Sequence, residues 1–221
     1  MTGTILFDLD GTLVDSAGDL SASLDTLMAE KGLPPIGIDT GRTLIGHGIA
    51  NLVRGALKLR GASVADEHVA SDLARFMEIY GARLTRITSP YPRVMDTLEV
   101  LASRGWNMGV CTNKRELFAR TIVSDLGMDQ FFRIVSGPDT FGVGKPDPRQ
   151  LLETARAAGG KHPVIFVGDS EVDVAAAKAA GMPVVALTYG YSKIPLASLS
   201  PDALIDSFDQ VPAAIDSLLQ P

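Results

Sequence analysis

The chain has 221 residues, enough for one large domain or one domain carrying a smaller insert. Hydrophobic residues make up 46 % of it, which excludes wholesale disorder. The formal charge of −6, with no basic run, gives no general attraction to nucleic acid or to a membrane surface, so an anionic ligand would need a local positive site. The single cysteine, Cys111, allows no intrachain disulfide and fits a reducing, cytoplasmic setting. The start of the chain has no basic segment of the signal-peptide kind, and no window approaches the ~18 apolar residues of a membrane span.

Thr4–Leu9 reads as a buried strand whose far end carries Asp8 and Asp10. Residues 16–87 then change to helical character. Ala17, Leu20, Leu24, Leu27 and Met28 fall on one face, and Gly32 with Pro34 and Pro35 stops that helix. Gly46-His47-Gly48 makes a flexible corner before a shorter helix around Asn51–Leu59. Val69, Leu73, Phe76, Met77, Tyr80 and Leu84 form a second apolar stripe. Ser89-Pro90-Tyr91-Pro92 is a stiff joint.

Beyond the joint, helix and strand alternate. Helices are expected at Val94–Ser103, Glu116–Leu126, Pro148–Ala158, Val172–Ala180 and Val211–Leu219. Strands are expected at Asn107–Cys111, Ile134–Ser136, Val164–Val167, Val184–Leu187 and Ala203–Ile205. This alternation predicts an α/β fold, a parallel sheet with helices on both faces. The first strand joins that sheet, so the expected organisation is a core of residues 1–15 and 88–221 with an all-helical block, 16–87, inserted after the first strand.

In open α/β sheets, ligands lie beyond the carboxyl ends of the strands. Four strands here deliver chemistry to that edge: Asp8 and Asp10, then Thr112 and Asn113, then Lys145 in the loop Gly144-Lys145-Pro146-Asp147-Pro148, then Gly168-Asp169. Asp8 and Asp10 would repel unless a cation sat between them, and Asp169 supplies a third carboxylate. All-oxygen donors suit Mg2+. A lysine on a proline-stiffened loop, a hydroxyl and the amides of a starting helix suit a phosphate group. Asp-x-Asp alone reads most simply as a capped turn, a lone lysine as surface solvation, and Thr112-Asn113 as a helix cap; their convergence on one edge points to phosphoryl transfer. Asp8 would attack phosphorus, and Asp10 would protonate the departing oxygen and later activate water.

Competing motifs fail. A Cys-x5-Arg thiol phosphatase signature would need arginine where Leu117 stands, and a Walker loop would need Ser or Thr where Pro146 stands. His47, His68 and His162 are too scattered for a zinc cluster. A phospho-acceptor or phosphate-binding receiver module would lack both the helical insert and the Asp8/Asp10 pairing.

Four segments, Phe7-Asp8-Leu9-Asp10-Gly11-Thr12-Leu13-Val14-Asp15-Ser16, Val110-Cys111-Thr112-Asn113-Lys114, Lys145-Pro146 and Gly168-Asp169-Ser170-Glu171-Val172-Asp173, resemble in order and spacing the four motifs of the haloacid dehalogenase-like superfamily. The resemblance implies a Rossmann-like three-layer core with an inserted helical cap. It implies Asp8 as nucleophile, Asp10 as acid and base, and phosphate binding by Thr112, Asn113 and Lys145. Mg2+ would be held by Asp8, the Asp10 backbone carbonyl and Asp169, with Asp173 supporting the metal or Lys145. An acid at position 10 favours phosphate esters over the dehalogenase and phosphonatase branches, and Leu20 stands where mutases carry a cap histidine. Within the superfamily, Asp15-Ser16-Ala17, Ile45-Gly46-His47-Gly48 and Leu187-Thr188-Tyr189-Gly190-Tyr191 are similar to phosphoglycolate phosphatases. His47 would then reach the substrate's carboxylate; the competing reading is a helix cap or a solvated loop residue. Arg54 could also reach the site but fits a solvent-facing position better. Sugar phosphates, nucleotides and pyrophosphate are the alternative substrates. The partner implied is a small phosphorylated metabolite, with monomer and homo-oligomer both open.

Overall fold

The computed structural model describes residues 2–46 and 48–220. The chain divides into two compact units, Met1–Asp15 with Pro90–Pro221, and Ser16–Ser89. In chain order, β1 (Thr4–Phe7) and the two-residue β2 (Val14–Asp15) precede four helices, α1 (Ala17–Glu30), α2 (Ile38–Arg42), α3 (Ile49–Leu59) and α4 (Asp66–Gly81). Then come β3 (Ser89–Pro90), α5 (Val94–Ser103), β4 (Asn107–Cys111), α6 (Glu116–Asp125), β5 (Ile134–Ser136), α7 (Pro138–Phe141) and α8 (Pro148–Ala157). The chain closes with β6 (Val164–Gly168), α9 (Glu171–Ala179), β7 (Val184–Leu187), β8 (Ala203–Ile205) and α10 (Val211–Leu218).

The first unit is the α/β fold expected from the alternation. Six strands pair in the order β5-β4-β1-β6-β7-β8, all parallel. Both faces of the sheet are covered, which is why the central strands read as unbroken apolar runs. Successive side chains of β1 point to opposite faces. Leu6 joins Leu151, Ala155, Phe166, Val174 and Ala177 on the face of α8 and α9. Phe7 packs the other way, its ring 5.8 Å from Phe208 and 6.1 Å edge-on from Phe132. Truncating a fully buried phenylalanine such as Phe7 to alanine removes about 3–5 kcal/mol.

Register positions the chemistry. Phe7 lies level with Val110 on one side and Val167 on the other. The next residues, Asp8, Cys111-Thr112 and Gly168-Asp169, therefore emerge side by side at one sheet edge. The Asp8 N–H still donates to the Val167 carbonyl at 2.9 Å. β1 ends at Phe7, not at Leu9 as the composition suggested. Leu9 turns back, and its carbonyl accepts from the N–H groups of Leu13 and Val14 at 2.9 and 3.0 Å. Gly11, at φ 88°, makes that turn possible.

The second unit is helical, as the two apolar stripes imply. Leu20, Leu24, Leu27 and Met28 of α1 are buried, as are Leu52, Val53 and Leu57 of α3, and Val69, Phe76 and Tyr80 of α4. Phe76 and Tyr80 stack at 5.8 Å, one helical turn apart. Leu73 and Met77 are only half-buried, at the margin of their stripe. Asp25 accepts from the N–H groups of Ile36 and Gly37 at 2.6 and 3.1 Å and so sets the turn into α2, a short helix with no apolar period to betray it. Asp19, fully buried, accepts from Ile87 N, Thr88 N and Thr88 Oγ1, each at 2.8 Å, and ties the unit's last residues to the start of α1. Among the described residues no helix is long and apolar enough to cross a membrane.

Candidate active site

Lys145 is the hub of the sheet edge. Its ammonium lies 2.9 Å from Asp8 Oδ1 and 2.6 Å from Asp173 Oδ1, with the Phe166 ring 5.3 Å beneath it. The side chain is 1 % exposed. Burial alone would strip its proton, but the Asp173 and Asp8 carboxylates outweigh it and hold the lysine charged.

Gln150, also fully buried, braces this loop. Its Oε1 accepts from Lys145 N at 2.8 Å while its Nε2 donates to the Thr112 carbonyl at 2.8 Å. Asn113 Nδ2 donates to the Lys145 carbonyl at 2.9 Å. Two side chains thus lock the loop after β4 to the loop that carries Lys145. The Thr112 hydroxyl accepts from Lys114 N at 3.2 Å, so its own proton is directed to another acceptor.

The carboxylates divide by partner. Asp8 Oδ1 also accepts from Leu9 N at 2.7 Å. Asp173 Oδ2 takes three donors, Asp169 N, Ser170 N and Ser170 Oγ, at 3.1, 3.0 and 2.6 Å. Asp169 accepts from Thr12 Oγ1 at 2.6 Å and from Tyr191 N at 2.7 Å. Asp10 Oδ2 lies 3.0 Å from the buried Lys114 ammonium. Oxygens of Asp8, Asp169 and Asp173 all lie within 4.8 Å of one another, a spacing that suits a metal ion. Asp173 takes Lys145 and three further donors, whereas Asp8 and Asp169 each take two, so Asp173 fits a supporting part and Asp8 and Asp169 fit a metal better.

Charge agrees with a divalent cation. Four carboxylates (Asp8, Asp10, Asp169, Asp173) face two ammonium groups (Lys114, Lys145), an excess of two negative charges in a largely buried setting. Burial pushes Asp8 up to about 7 even though Lys145 pulls the other way. Burial, then the charges of Asp173 and Asp8, raise Asp169 well above the carboxylate range. Both shifts mark charge that a hard cation with oxygen ligands would stabilise.

A family model described as haloacid dehalogenase-like hydrolase matches residues 5–187. The chain belongs to the haloacid dehalogenase-like hydrolases. A phosphoglycolate phosphatase of Agrobacterium fabrum is 38 % identical over 216 residues, 97 % of this chain and 93 % of that one. Phosphoglycolate phosphatase 1 of Pseudomonas aeruginosa is 43 % identical over 215 residues, 95 % of this chain and 79 % of that one. The crystal structure of a predicted phosphoglycolate phosphatase from Haemophilus somnus superposes with a TM-score of 0.88 at 33 % identity, covering 97 % of this chain and 98 % of that one.

In this haloacid dehalogenase-like hydrolase, Asp8, Asp10, Thr112, Asn113, Lys145, Asp169 and Asp173 lie along one sheet edge. His47 lies outside the described residues. Arg54 donates to the Val64 carbonyl and to Asp66 at 2.9 Å each, a local clasp on the surface. Cys111 is fully buried, and burial pushes its thiol up to about 11, as for a core cysteine. Lys114, Gln150, Thr12, Ser170 and Tyr191 join the site in the structure without having been singled out by the sequence. Thr12, Lys114 and Ser170 stand inside the motifs and were detectable there. Gln150 and the Tyr191 N–H act through backbone partners, for which a sequence carries no signal.

The Asp169 carboxylate sits between two glycines. A Cβ on Gly190 or on Gly11 would overlap it. Gly190→Ala is therefore expected to displace Asp169 and to weaken about 10–100-fold the binding of a divalent cation that this carboxylate would hold, with little change in melting temperature. Activity titrated against Mg2+ checks this; an unchanged half-saturating concentration would contradict it.

Proposed function

We propose that the chain is a Mg2+-dependent phosphatase that converts 2-phosphoglycolate to glycolate and phosphate through an aspartyl phosphate on Asp8. The observation that carries this reading is the grouping of Asp8, Lys145 and Asp173 within 2.6–2.9 Å contacts at a sheet edge that also holds Asp10 and Asp169. The substrate rests on the two curated relatives, which align over nearly the whole chain.

Thr112, Asn113 and Lys145 bind the phosphoryl group, and Lys145 offsets its repulsion by Asp8. An Asp8 oxygen attacks phosphorus as the bond to the glycolate oxygen breaks, and Asp10 gives that oxygen a proton. Asp10, now ionised, takes a proton from a water that attacks the phosphorus of the acyl phosphate. That attack frees phosphate and restores Asp8. Asp8, the Asp10 backbone carbonyl and Asp169 would hold Mg2+, which would supply positive charge against the phosphoryl oxygens. Asp173 keeps Lys145 in place. Residues 16–87 serve as the inserted cap, with His47 as the candidate partner for the substrate carboxylate. A cytoplasmic setting and a small-metabolite partner complete the reading.

A substrate panel with Mg2+ tests it. The expected result is a kcat/KM for 2-phosphoglycolate at least about tenfold above sugar phosphates, nucleotides and pyrophosphate, a margin of roughly 1.4 kcal/mol. Equal rates across the panel, or a different preferred ester, would overturn the substrate.

The raised Asp8 sets the pH dependence of metal binding. Its folded value, about 7, lies above the ordinary 3.8. The native state therefore holds more protons than the unfolded chain between those values, and this group's contribution to metal-free stability falls as pH rises from about 4 to about 7. Mg2+ must displace that proton below pH 7 and meets an ionised carboxylate above it. The Mg2+-induced rise in melting temperature should accordingly be larger at pH 8 than at pH 6. Scans with EDTA or Mg2+ at the two pH values check this, and a larger shift at pH 6 would contradict it.

A further inference from the structure

We infer that Lys114 is a positioning residue for the reaction: its ammonium fixes the place and orientation of the Asp10 carboxylate, so that Asp10 can exchange a proton with the departing oxygen. The inference rests on the phosphatase reading and adds to it a residue with no contact to phosphorus.

Lys114 Nζ lies 3.0 Å from Asp10 Oδ2, and the lysine side chain is 2 % exposed. Lysine is seldom buried without a strong reason, because removing its charge from water costs several kcal/mol. Its backbone is held as well, by the 3.2 Å bond from Lys114 N to Thr112 Oγ1 on the loop after β4. The lysine thus reaches Asp10 from a fixed base on the loop that follows the neighbouring strand β4. Asp10 lies past the end of β1, on the sharp turn at Gly11, with its backbone bridged to Val14.

The two acids of the proposed reaction are two residues apart, and each has its own lysine. Lys145 engages Asp8 at 2.9 Å and Lys114 engages Asp10 at 3.0 Å. Separate anchors keep two mutually repelling carboxylates in distinct places, one facing phosphorus and the other the ester oxygen. A proton donor displaced by about 1 Å can lose on the order of 10²-fold in rate.

Leaving-group dependence tests this. A phosphate ester of an alkyl alcohol needs a proton on its departing oxygen, whereas 4-nitrophenyl phosphate releases a stable phenolate. Single-turnover cleavage by Lys114→Met should fall about 100-fold with 2-phosphoglycolate but less than about tenfold with 4-nitrophenyl phosphate, and KM should change little. Lys114→Arg, which keeps the charge at altered reach, should show the same pattern to a smaller degree and carries the test if the methionine variant folds poorly. In an Asp10→Asn background, Lys114→Met should cost almost nothing more. Equal losses with both esters, a rise in KM alone, or full additivity with Asp10→Asn would overturn the inference. Failure of the phosphatase reading looks different: Asp10→Asn by itself would then show no leaving-group dependence.

Discussion

Asp8→Asn is expected to abolish turnover, lowering kcat by about 10⁴-fold or more. Asparagine keeps the size and the hydrogen-bond acceptor of the side chain, so the contact with Leu9 N can survive. Its amide is a poor nucleophile and cannot form the acyl phosphate. Stability should move the other way. Asp8 carries its charge at a cost, since burial and the neighbouring Asp173 and Asp10 all push its pKa up to about 7. Lys145 keeps Asp173 at 2.6 Å, so removing the Asp8 charge strands no cation and should leave the metal-free protein at pH 8 as stable as before or more so, the exchange of stability for activity common at working sites. Initial rates with Mg2+ and melting scans in EDTA read the two effects. Retention of more than about a hundredth of the activity would contradict the role of Asp8 as nucleophile, given the size of effect such residues carry.

Lys145→Met should damage both properties. The lysine is the cation between Asp8 and Asp173, at 2.9 and 2.6 Å. Deleting one partner of a buried ion pair strands the others, at about 3–5 kcal/mol. An exposed pair such as Arg75–Glu30, of similar length at 2.7 Å, contributes far less because solvent screens it. Activity should fall on the order of 10³-fold, since the phosphoryl group loses a charged donor and Asp8 loses its anchor. Urea unfolding in EDTA separates the two readouts, and a stability loss below about 1 kcal/mol would contradict the hub role, because only an exposed pair is worth so little.

Much of the core was legible because its strands are fully covered, so apolar runs stand out between amphipathic helices. The sequence shows which segments are strands but not their order; that β1 lies between β4 and β6 follows from packing across the whole sheet. The error at the end of β1 has a local cause. Leu9 is apolar and extends the run, but its carbonyl is taken by the turn to Leu13 and Val14. α2 was missed because Ile38–Arg42 is too short for a period, and Asp25 on α1 holds the turn before it. At the site, side chains at strand ends could be read from sequence alone. Their supports could not: Gln150 works from inside α8, and Asp169 leans on a main-chain N–H after β7.

The most direct test of the phosphoryl-transfer account is to trap the intermediate. Enzyme with Mg2+ is mixed with 32P-labelled substrate, quenched in acid within one turnover, and digested. The expected result is a hydroxylamine-sensitive label on the peptide that contains Asp8, absent from Asp8→Asn. Label on another residue, or rapid turnover with no labelled protein at any quench time, would contradict it.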